Sequence, residues 1–129
     1  MIYADTSALA KLLVDEPQSE ALGAWLDARP DQALTTNTIG VVELHRFAGR
    51  IGPEIDRAAT RFLASVDTVP LTPAAVALAG RLSPPAVRTL DALHIASAAE
   101  LPDLTYLVSY DHRMLEAAAD YGLPVASPV

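Results

Sequence analysis

The sequence predicts an α/β fold: a three-layer α/β/α sandwich with a mostly parallel, short-stranded central sheet. Short β-prone runs alternate with helical patterns along the chain of 129 residues, an order typical of parallel strands joined by crossover helices. The hydrophobic fraction of 51%, without a long polar tract, indicates a real core and one compact domain over residues 1–129, with no second domain.

The strands are predicted from short apolar or β-branched runs that stop at polar or turn-forming residues. The first, Ile2–Ala4, ends directly at Asp5. Thr6 or Ser7 is then expected to cap a helix, because both hydroxyls can accept a backbone N–H. Further strands are predicted at residues 33–36, 69–71, 106–109 and 124–126, the last as an edge strand.

The helices are predicted from apolar residues that recur every three to four positions. The first follows Asp5 directly, and prolines or glycines bound several of the others. The expected helices after the first cover residues 21–26, 41–50, 55–63, 73–82, 87–101 and 114–121, the longest pattern being 87–101 and the last closed by Gly122.

Composition excludes several classes of function. The chain has no cysteine, which rules out disulfides, thiolate zinc sites and cysteine nucleophiles. Its first 14 residues carry Asp5 and Lys11 and lack a basic leader, so we expect no signal peptide and an intracellular, cytoplasmic protein. The net charge of −7 argues against bulk electrostatic attraction of nucleic acid, so any such partner must be held locally.

Four acidic residues stand out by position. Asp5 and Asp111 each follow a predicted strand, and the carboxyl ends of parallel strands meet at one sheet edge, where ligands bind. Glu43 and Asp91 lie early in helices, among apolar neighbours. Converging carboxylates repel one another, and an oxygen-preferring divalent cation would hold them together.

Each of these acids also has a simpler interpretation. Asp5 and Asp111 can be ordinary caps of the helices that follow them. Glu43 and Asp91 can reach water or pair with an arginine such as Arg46 or Arg88. The hypothesis of a metal site therefore depends on the four residues together.

The motifs around these acids give a resemblance to a known family over the whole chain. Residues 1–9, with Asp5-Thr6-Ser7 after the first strand, look like the opening of a PIN domain. Glu43-Leu44 resembles the second acidic position, residues 91–96 match the third motif, and residues 109–114 resemble the fourth. Tyr110 and His112 depart from the smaller or more acidic residues often found around the last aspartate. In order, spacing and chain length, the sequence resembles VapC toxins.

This resemblance implies a metal-dependent ribonuclease that hydrolyses RNA phosphodiester bonds. Asp5, Glu43, Asp91 and Asp111 would be both the catalytic residues and the ligands of Mg²⁺, or of Mn²⁺. Thr6, Ser7 and Ser109 are expected to orient the carboxylates, with helix capping as their alternative role. Arg88, His112 and Arg113 are candidates for contacts with substrate, and His94 is expected to make a structural hydrogen bond in the core.

The resemblance also implies partners: an RNA substrate, a second copy of the chain in a homodimer, and a small VapB-like antitoxin. Candidate apolar contacts for the antitoxin are Trp25, Leu26, Phe47 and Phe62, although core packing is their default role. No membrane association is expected.

Two alternative functions each require a residue that this sequence lacks. A haloacid-dehalogenase-type phosphatase needs a second aspartate two positions after Asp5, where Ser7 stands, and a receiver domain needs a lysine late in the chain, whereas Lys11 is the only lysine. The alternative that the sequence leaves open is a PIN-like binding or regulatory protein with weak or no nuclease activity.

Overall fold

The chain folds around a five-stranded sheet in which every pair of neighbouring strands is parallel, in the order β3-β2-β1-β4-β5. A computed structural model describes residues 1–129. The strands are β1 (Ile2–Ala4), β2 (Leu34–Asn37), β3 (Asp67–Val69), β4 (Tyr106–Val108) and β5 (Val125–Ala126). The predicted α/β class, the parallel sheet and the edge position of the last strand are confirmed.

Seven helices cover the two faces of this sheet. They are α1 (Thr6–Leu13), α2 (Ser19–Asp27), α3 (Thr38–Ile51), α4 (Pro53–Leu63), α5 (Pro73–Ala79), α6 (Thr89–Ala99) and α7 (His112–Tyr121). None of them is long and apolar enough to cross a lipid bilayer.

Two separate apolar clusters form the core, one on each face of the sheet. Ile2 and Ala4 pack with α1–α4, whereas Tyr3 between them packs with α5, α6 and α7. This division follows from the strand geometry, since successive side chains point to opposite faces. β1 is central, so its carboxyl end lies between the two helical layers.

Several predicted boundaries are wrong for local reasons. β3 ends at Val69, two residues before the predicted end, because Pro70 has no N–H for the sheet. Helix α5 stops at Ala79 and is followed by Gly80, short of the predicted residue 82.

The longest helix is α3, with 14 residues, rather than α6, with 11. Helix α3 begins three residues before the predicted start because Asn37 caps it, its side-chain oxygen accepting from the Gly40 N–H at 2.8 Å. Helix α6 begins only at Thr89, since Arg88 has an extended backbone, and ends at Ala99, before the predicted residue 101.

Candidate active site at the carboxyl edge of the sheet

Asp5 occupies the end of the central strand and caps α1. Its Oδ1 accepts from the Ala8 N–H at 3.1 Å and from the Ser7 hydroxyl at 2.6 Å, and its Oδ2 accepts from the Ser109 hydroxyl at 2.7 Å. Only 4% of the residue is exposed. This burial raises the pKa of the Asp5 carboxyl, against the three hydrogen bonds, which favour the charged form.

The two serines tie Asp5 to the loop that follows β4. Ser7 Oγ accepts from the Tyr110 N–H at 2.9 Å, and Ser109 Oγ accepts from the Asp111 N–H at 3.0 Å. Each hydroxyl therefore accepts a hydrogen bond from the backbone of this loop and donates its own hydrogen to one oxygen of Asp5. The predicted alternative of helix capping by Thr6, Ser7 or Ser109 is wrong: Asp5 caps α1, and these hydroxyls bond to carboxylates instead.

Asp111 is the cap of α7. Its Oδ1 accepts from the Arg113 N–H at 2.9 Å and from the Met114 N–H at 3.4 Å, which leaves Oδ2 without a hydrogen-bond donor. Capping by Asp5 and Asp111 is thus confirmed, and in both cases it also fixes the carboxylate at the carboxyl edge of the sheet.

Glu43 lies in the second turn of α3, where a half-buried carboxylate meets two donors on one oxygen. The Thr6 hydroxyl and His94 Nε2 both lie 2.7 Å from Oε1. Burial opposes ionisation, but the hydrogen bonds from His94 and Thr6 outweigh it, so the pKa of Glu43 lies below its ordinary value. Glu43 is therefore hydrogen-bonded to a histidine of the opposite helical layer, and no ion pair joins it to Arg46.

Asp91 lies in the first turn of α6 and has neither a hydrogen bond nor an ion pair on its carboxylate. Burial raises its pKa, and the neighbouring Asp111 and Asp5 carboxylates raise it further, with smaller opposite effects from His94 and Arg88. The Asp111 and Asp5 carboxylates are thus close enough to Asp91 to repel its negative charge, although the three residues belong to different parts of the chain.

The chemistry of these donors fits a divalent cation. The Asp91 carboxylate accepts no hydrogen bond, and neither does Oε2 of Glu43 or Oδ2 of Asp111. Carboxylate oxygens are ligands that Mg²⁺ and Mn²⁺ prefer. No group of three or more histidine or acidic side chains is arranged so that it could hold a metal ion as it stands. The four-ligand cation site therefore stays a prediction.

The predicted substrate residues lie at the rim of this edge. Arg88 precedes α6 and is exposed, near enough to Asp91 to lower the pKa of that carboxyl. His112 and Arg113 begin α7 beside Asp111, and both are exposed.

A groove along α3 opens beside Glu43, and the sequence analysis did not anticipate it. It has a volume of about 340 Å³ and is lined by Thr6, Ile39, Val42, Glu43, Arg46, Phe47, Arg50 and Leu90. We call it the α3 groove. Arg46 and Arg50 are exposed, one turn apart, and neither forms an ion pair. Their spacing of four residues was the signal in the sequence, since it places two guanidinium groups on one helical face.

A larger groove, of about 600 Å³, lies between α5 and α6, and none of the four acids lines it. Its lining is mainly apolar, with Leu71, Val76 and Leu82 among the residues. The volume of a groove is therefore a poor guide to the candidate site in this protein. The acidic side chains identify the site at the carboxyl edge of the sheet instead.

The fold agrees with comparisons to known proteins. A model of the PIN domain family matches residues 2–120. The chain belongs to the PIN domain family. It is 43% identical over 132 aligned residues to ribonuclease VapC47 of Mycobacterium tuberculosis, covering 99% of this chain and 97% of that protein. It is 39% identical to ribonuclease VapC35 of the same species, with the same coverage. The predicted resemblance to VapC proteins is confirmed.

Solved structures share the fold at low sequence identity. The VapC20 structure from M. tuberculosis, described as a sarcin-ricin loop cleaving toxin, has a TM-score of 0.77 and 18% identity, covering 99% of this chain and 100% of that chain. The VapBC2 structure from Rickettsia felis, bound to a promoter DNA fragment, has a TM-score of 0.79 and 13% identity, and each chain is covered in full. These likenesses confirm the PIN-type α/β architecture.

Proposed function

We propose that residues 1–129 form a single nuclease domain, a VapC-type ribonuclease that hydrolyses RNA phosphodiester bonds with a divalent cation. The observation that carries this proposal is that Asp5 and Asp111 follow two neighbouring parallel strands and that both carboxylates raise the pKa of Asp91. Glu43 is held by Thr6, next to Asp5 in the chain, and by His94, one turn after Asp91 in α6. Membership of the PIN domain family and full-length relatives named ribonuclease VapC support it.

Asp5, Glu43, Asp91 and Asp111 would hold the cation, which we propose to be Mg²⁺, with Mn²⁺ as a substitute. When bound, it supplies Lewis acidity that makes a coordinated water a better nucleophile and offsets negative charge on the phosphate. Asp91 and the free oxygens of Glu43 and Asp111 are the groups that can turn towards it. The carboxylate of Asp5 is held in place by three hydrogen bonds, so Asp5 would be the ligand with a fixed position.

The α3 groove is proposed to hold the RNA strand next to the cleaved bond. Arg46 and Arg50 have no carboxylate partner, and a guanidinium group can donate two hydrogen bonds to one phosphate. The exposed apolar side chains of Val42 and Leu90 offer a surface for bases or sugars. Arg88, His112 and Arg113, at the rim, would contact phosphates on the other side of the site. This arrangement binds RNA locally, as a net charge of −7 requires.

A cognate VapB-like antitoxin is the proposed protein partner, and a second copy of the chain is proposed to complete a homodimer. Solved neighbours include the VapBC-1 complex of Haemophilus influenzae, at a TM-score of 0.75. The side chains proposed to contact the antitoxin are half-buried against the core between α1–α4 and the sheet, so only part of each is accessible to a partner. They are Trp25, Leu26, Phe47 and Phe62. An RNA substrate would place the activity in the cytoplasm.

The test is cleavage of cellular RNA by the purified protein. We expect cleavage with Mg²⁺ or Mn²⁺, none in EDTA, and none by Asp91→Asn purified in the same way. Cleavage that survives both EDTA and that substitution would contradict the proposal. No cleavage under any of these conditions would favour a binding or regulatory role for the chain.

A further inference from the structure

The two oxygens of the Glu43 carboxylate have different surroundings. Oε1 accepts from Thr6 Oγ1 and from His94 Nε2, each at 2.7 Å, whereas no donor lies at Oε2. The Thr6 hydroxyl comes from α1 and His94 comes from α6, so the two helical layers both hold the same oxygen. Only Oε2 is left for a further ligand.

His94 is held in turn from its other ring nitrogen. The Tyr3 hydroxyl lies 2.7 Å from Nδ1, and the two rings meet edge to face with centroids 5.8 Å apart. Both residues are buried, at 0% and 1% exposure for Tyr3 and His94. The imidazole ring therefore has a fixed place and a fixed orientation in the core.

The direction of these hydrogen bonds follows from what each group can donate. The Tyr3 hydroxyl carries a hydrogen and lies 2.7 Å from Nδ1, so it can donate to that nitrogen. The Glu43 carboxylate has no hydrogen to give and can only accept. A ring that accepts at Nδ1 and donates at Nε2 satisfies both neighbours, which selects the Nε2–H form of His94.

We propose that Tyr3 and His94 are positioning residues that fix the Nε2–H of the ring on Glu43 Oε1 and thereby present Oε2 alone to the divalent cation. The inference rests on the proposed role of Glu43 as a ligand of that cation. Such outer hydrogen bonds orient the ligands of metal sites and increase their basicity. A side chain that only packed in the core would need no donor aimed at a half-exposed carboxylate.

The first test reads the hydrogen positions directly, in metal-free protein and without RNA. In protein labelled with ¹⁵N-histidine, long-range ¹H–¹⁵N correlation spectra distinguish which ring nitrogen carries hydrogen. We expect His94 to be protonated at Nε2 only. In Tyr3→Phe, which removes the hydroxyl and keeps the ring, we expect Nε2 to keep its hydrogen, because Glu43 still accepts it, and the Nδ1 resonance to shift, because that nitrogen loses its hydrogen-bond donor. A hydrogen on Nδ1 of the wild-type protein, or an unchanged His94 spectrum in Tyr3→Phe, would overturn the inference.

The second test measures the Mg²⁺ concentration that gives half-maximal thermal stabilisation and half-maximal RNA cleavage. His94→Leu fills much of the ring volume without a donor, and we expect it to need roughly 10- to 100-fold more Mg²⁺. His94→Gln can place an amide N–H near the position of Nε2, and we expect it to recover most of the loss. The matched control is His45→Gln, since His45 bonds to Asp56 on α4, away from Glu43.

Tyr3→Phe serves if His94→Leu does not fold, and we expect it to shift the Mg²⁺ requirement in the same direction by several-fold. An unchanged requirement in the variants, or no rescue by His94→Gln, would overturn the inference, as would a wild-type protein that Mg²⁺ does not stabilise. The Nε2–H form and Mg²⁺ stabilisation without RNA cleavage would instead contradict only the proposed ribonuclease function.

Discussion

The Asp5 carboxylate and the Ser109 hydroxyl, 104 positions apart in the sequence, share a buried hydrogen bond of 2.7 Å. Because Ser109 Oγ also accepts from the Asp111 N–H, this one hydroxyl joins the end of β1 to the cap of α7. The placement of two of the four acids therefore depends on a residue that carries no charge.

Ser109→Ala is expected to lower the free energy of unfolding by about 1–3 kcal/mol, because it leaves a buried carboxylate oxygen and a backbone N–H without their partner. Urea denaturation measures this change. Ser83→Ala is the matched control, since Ser83 is exposed and makes no side-chain hydrogen bond, and we expect it to unfold as the wild type does. An unchanged urea midpoint in Ser109→Ala would show that the hydroxyl contributes little to this edge.

Two glycines of α3 should respond to alanine in opposite directions. A Cβ at Gly40 would collide with the Thr36 side chain, whose hydroxyl donates to the Ala4 carbonyl at 2.9 Å, so we expect Gly40→Ala to cost about 1–3 kcal/mol. A Cβ at Gly49 would meet nothing within 4 Å, so Gly49→Ala should stabilise the helix by about 0.5–1 kcal/mol. Thermal or chemical unfolding of both variants checks this pair, and equal shifts would contradict the close approach of α3 to β2.

The sequence was enough to place Asp5 and Asp111 at one edge of the sheet, because that prediction needs only local patterns. A strand that stops at Asp5, another that ends before Asp111, and a parallel sheet together bring the two carboxylates to the same side. The start of α3 could also have been refined, since Asn37 is a cap residue that stands in the sequence directly before this helix, whereas the start of α5 at Pro73 was predicted correctly.

The hydrogen bonds of Glu43 and His94 could not be predicted from the sequence in the same way. Tyr3 and His94 are 91 positions apart, and His94 and Glu43 are 51 apart, so their contact depends on how α6 and α3 pack across the end of the sheet. Sequence reasoning placed His94 in the core with a hydrogen bond, which is confirmed, but gave it no partner. A buried tyrosine hydroxyl needs a partner, and Tyr3 offered that signal.

Removing the two guanidinium groups of the α3 groove should weaken RNA binding more than catalysis. For the double variant Arg46→Gln and Arg50→Gln we expect a raised KM with kcat largely kept. The logarithmic salt dependence of binding should become shallower by about 0.7 for each lost contact to a single-stranded phosphate. Kinetics and binding at several salt concentrations measure both effects.

The matched control for this double variant changes the same charges on α4. Arg57 and Arg61 are exposed one turn apart, as Arg46 and Arg50 are, but they do not line the groove. Arg57→Gln with Arg61→Gln should leave KM and the salt dependence close to those of the wild type. Equal effects in the two double variants would mean that net charge, rather than the groove, governs RNA binding.

Asp91→Asn should stabilise the fold in EDTA at neutral pH while abolishing the response to Mg²⁺. Burial and the carboxylates of Asp111 and Asp5 raise the pKa of Asp91, so the folded protein binds this proton more tightly than the unfolded chain does. The resulting stability is fully present below the unfolded pKa and is lost as pH rises through the raised folded value. Removing the charge should therefore raise the Tm at pH 7 by a few degrees and little at pH 4.

Differential scanning calorimetry in EDTA and in Mg²⁺, at both pH values, checks this prediction. Asp67→Asn is the control, because it removes one exposed negative charge at the amino end of the edge strand β3, whereas Asp5 and Asp111 follow the carboxyl ends of β1 and β4. Mg²⁺ should raise the Tm of the wild type and of this control, since a ligand that binds only the folded state stabilises it, but not that of Asp91→Asn. An Asp91→Asn protein that is less stable than the wild type at pH 7 in EDTA would show that the Asp91 carboxylate stabilises the metal-free protein. That result would contradict the idea that Asp91 is repelled by the neighbouring carboxylates until a cation binds.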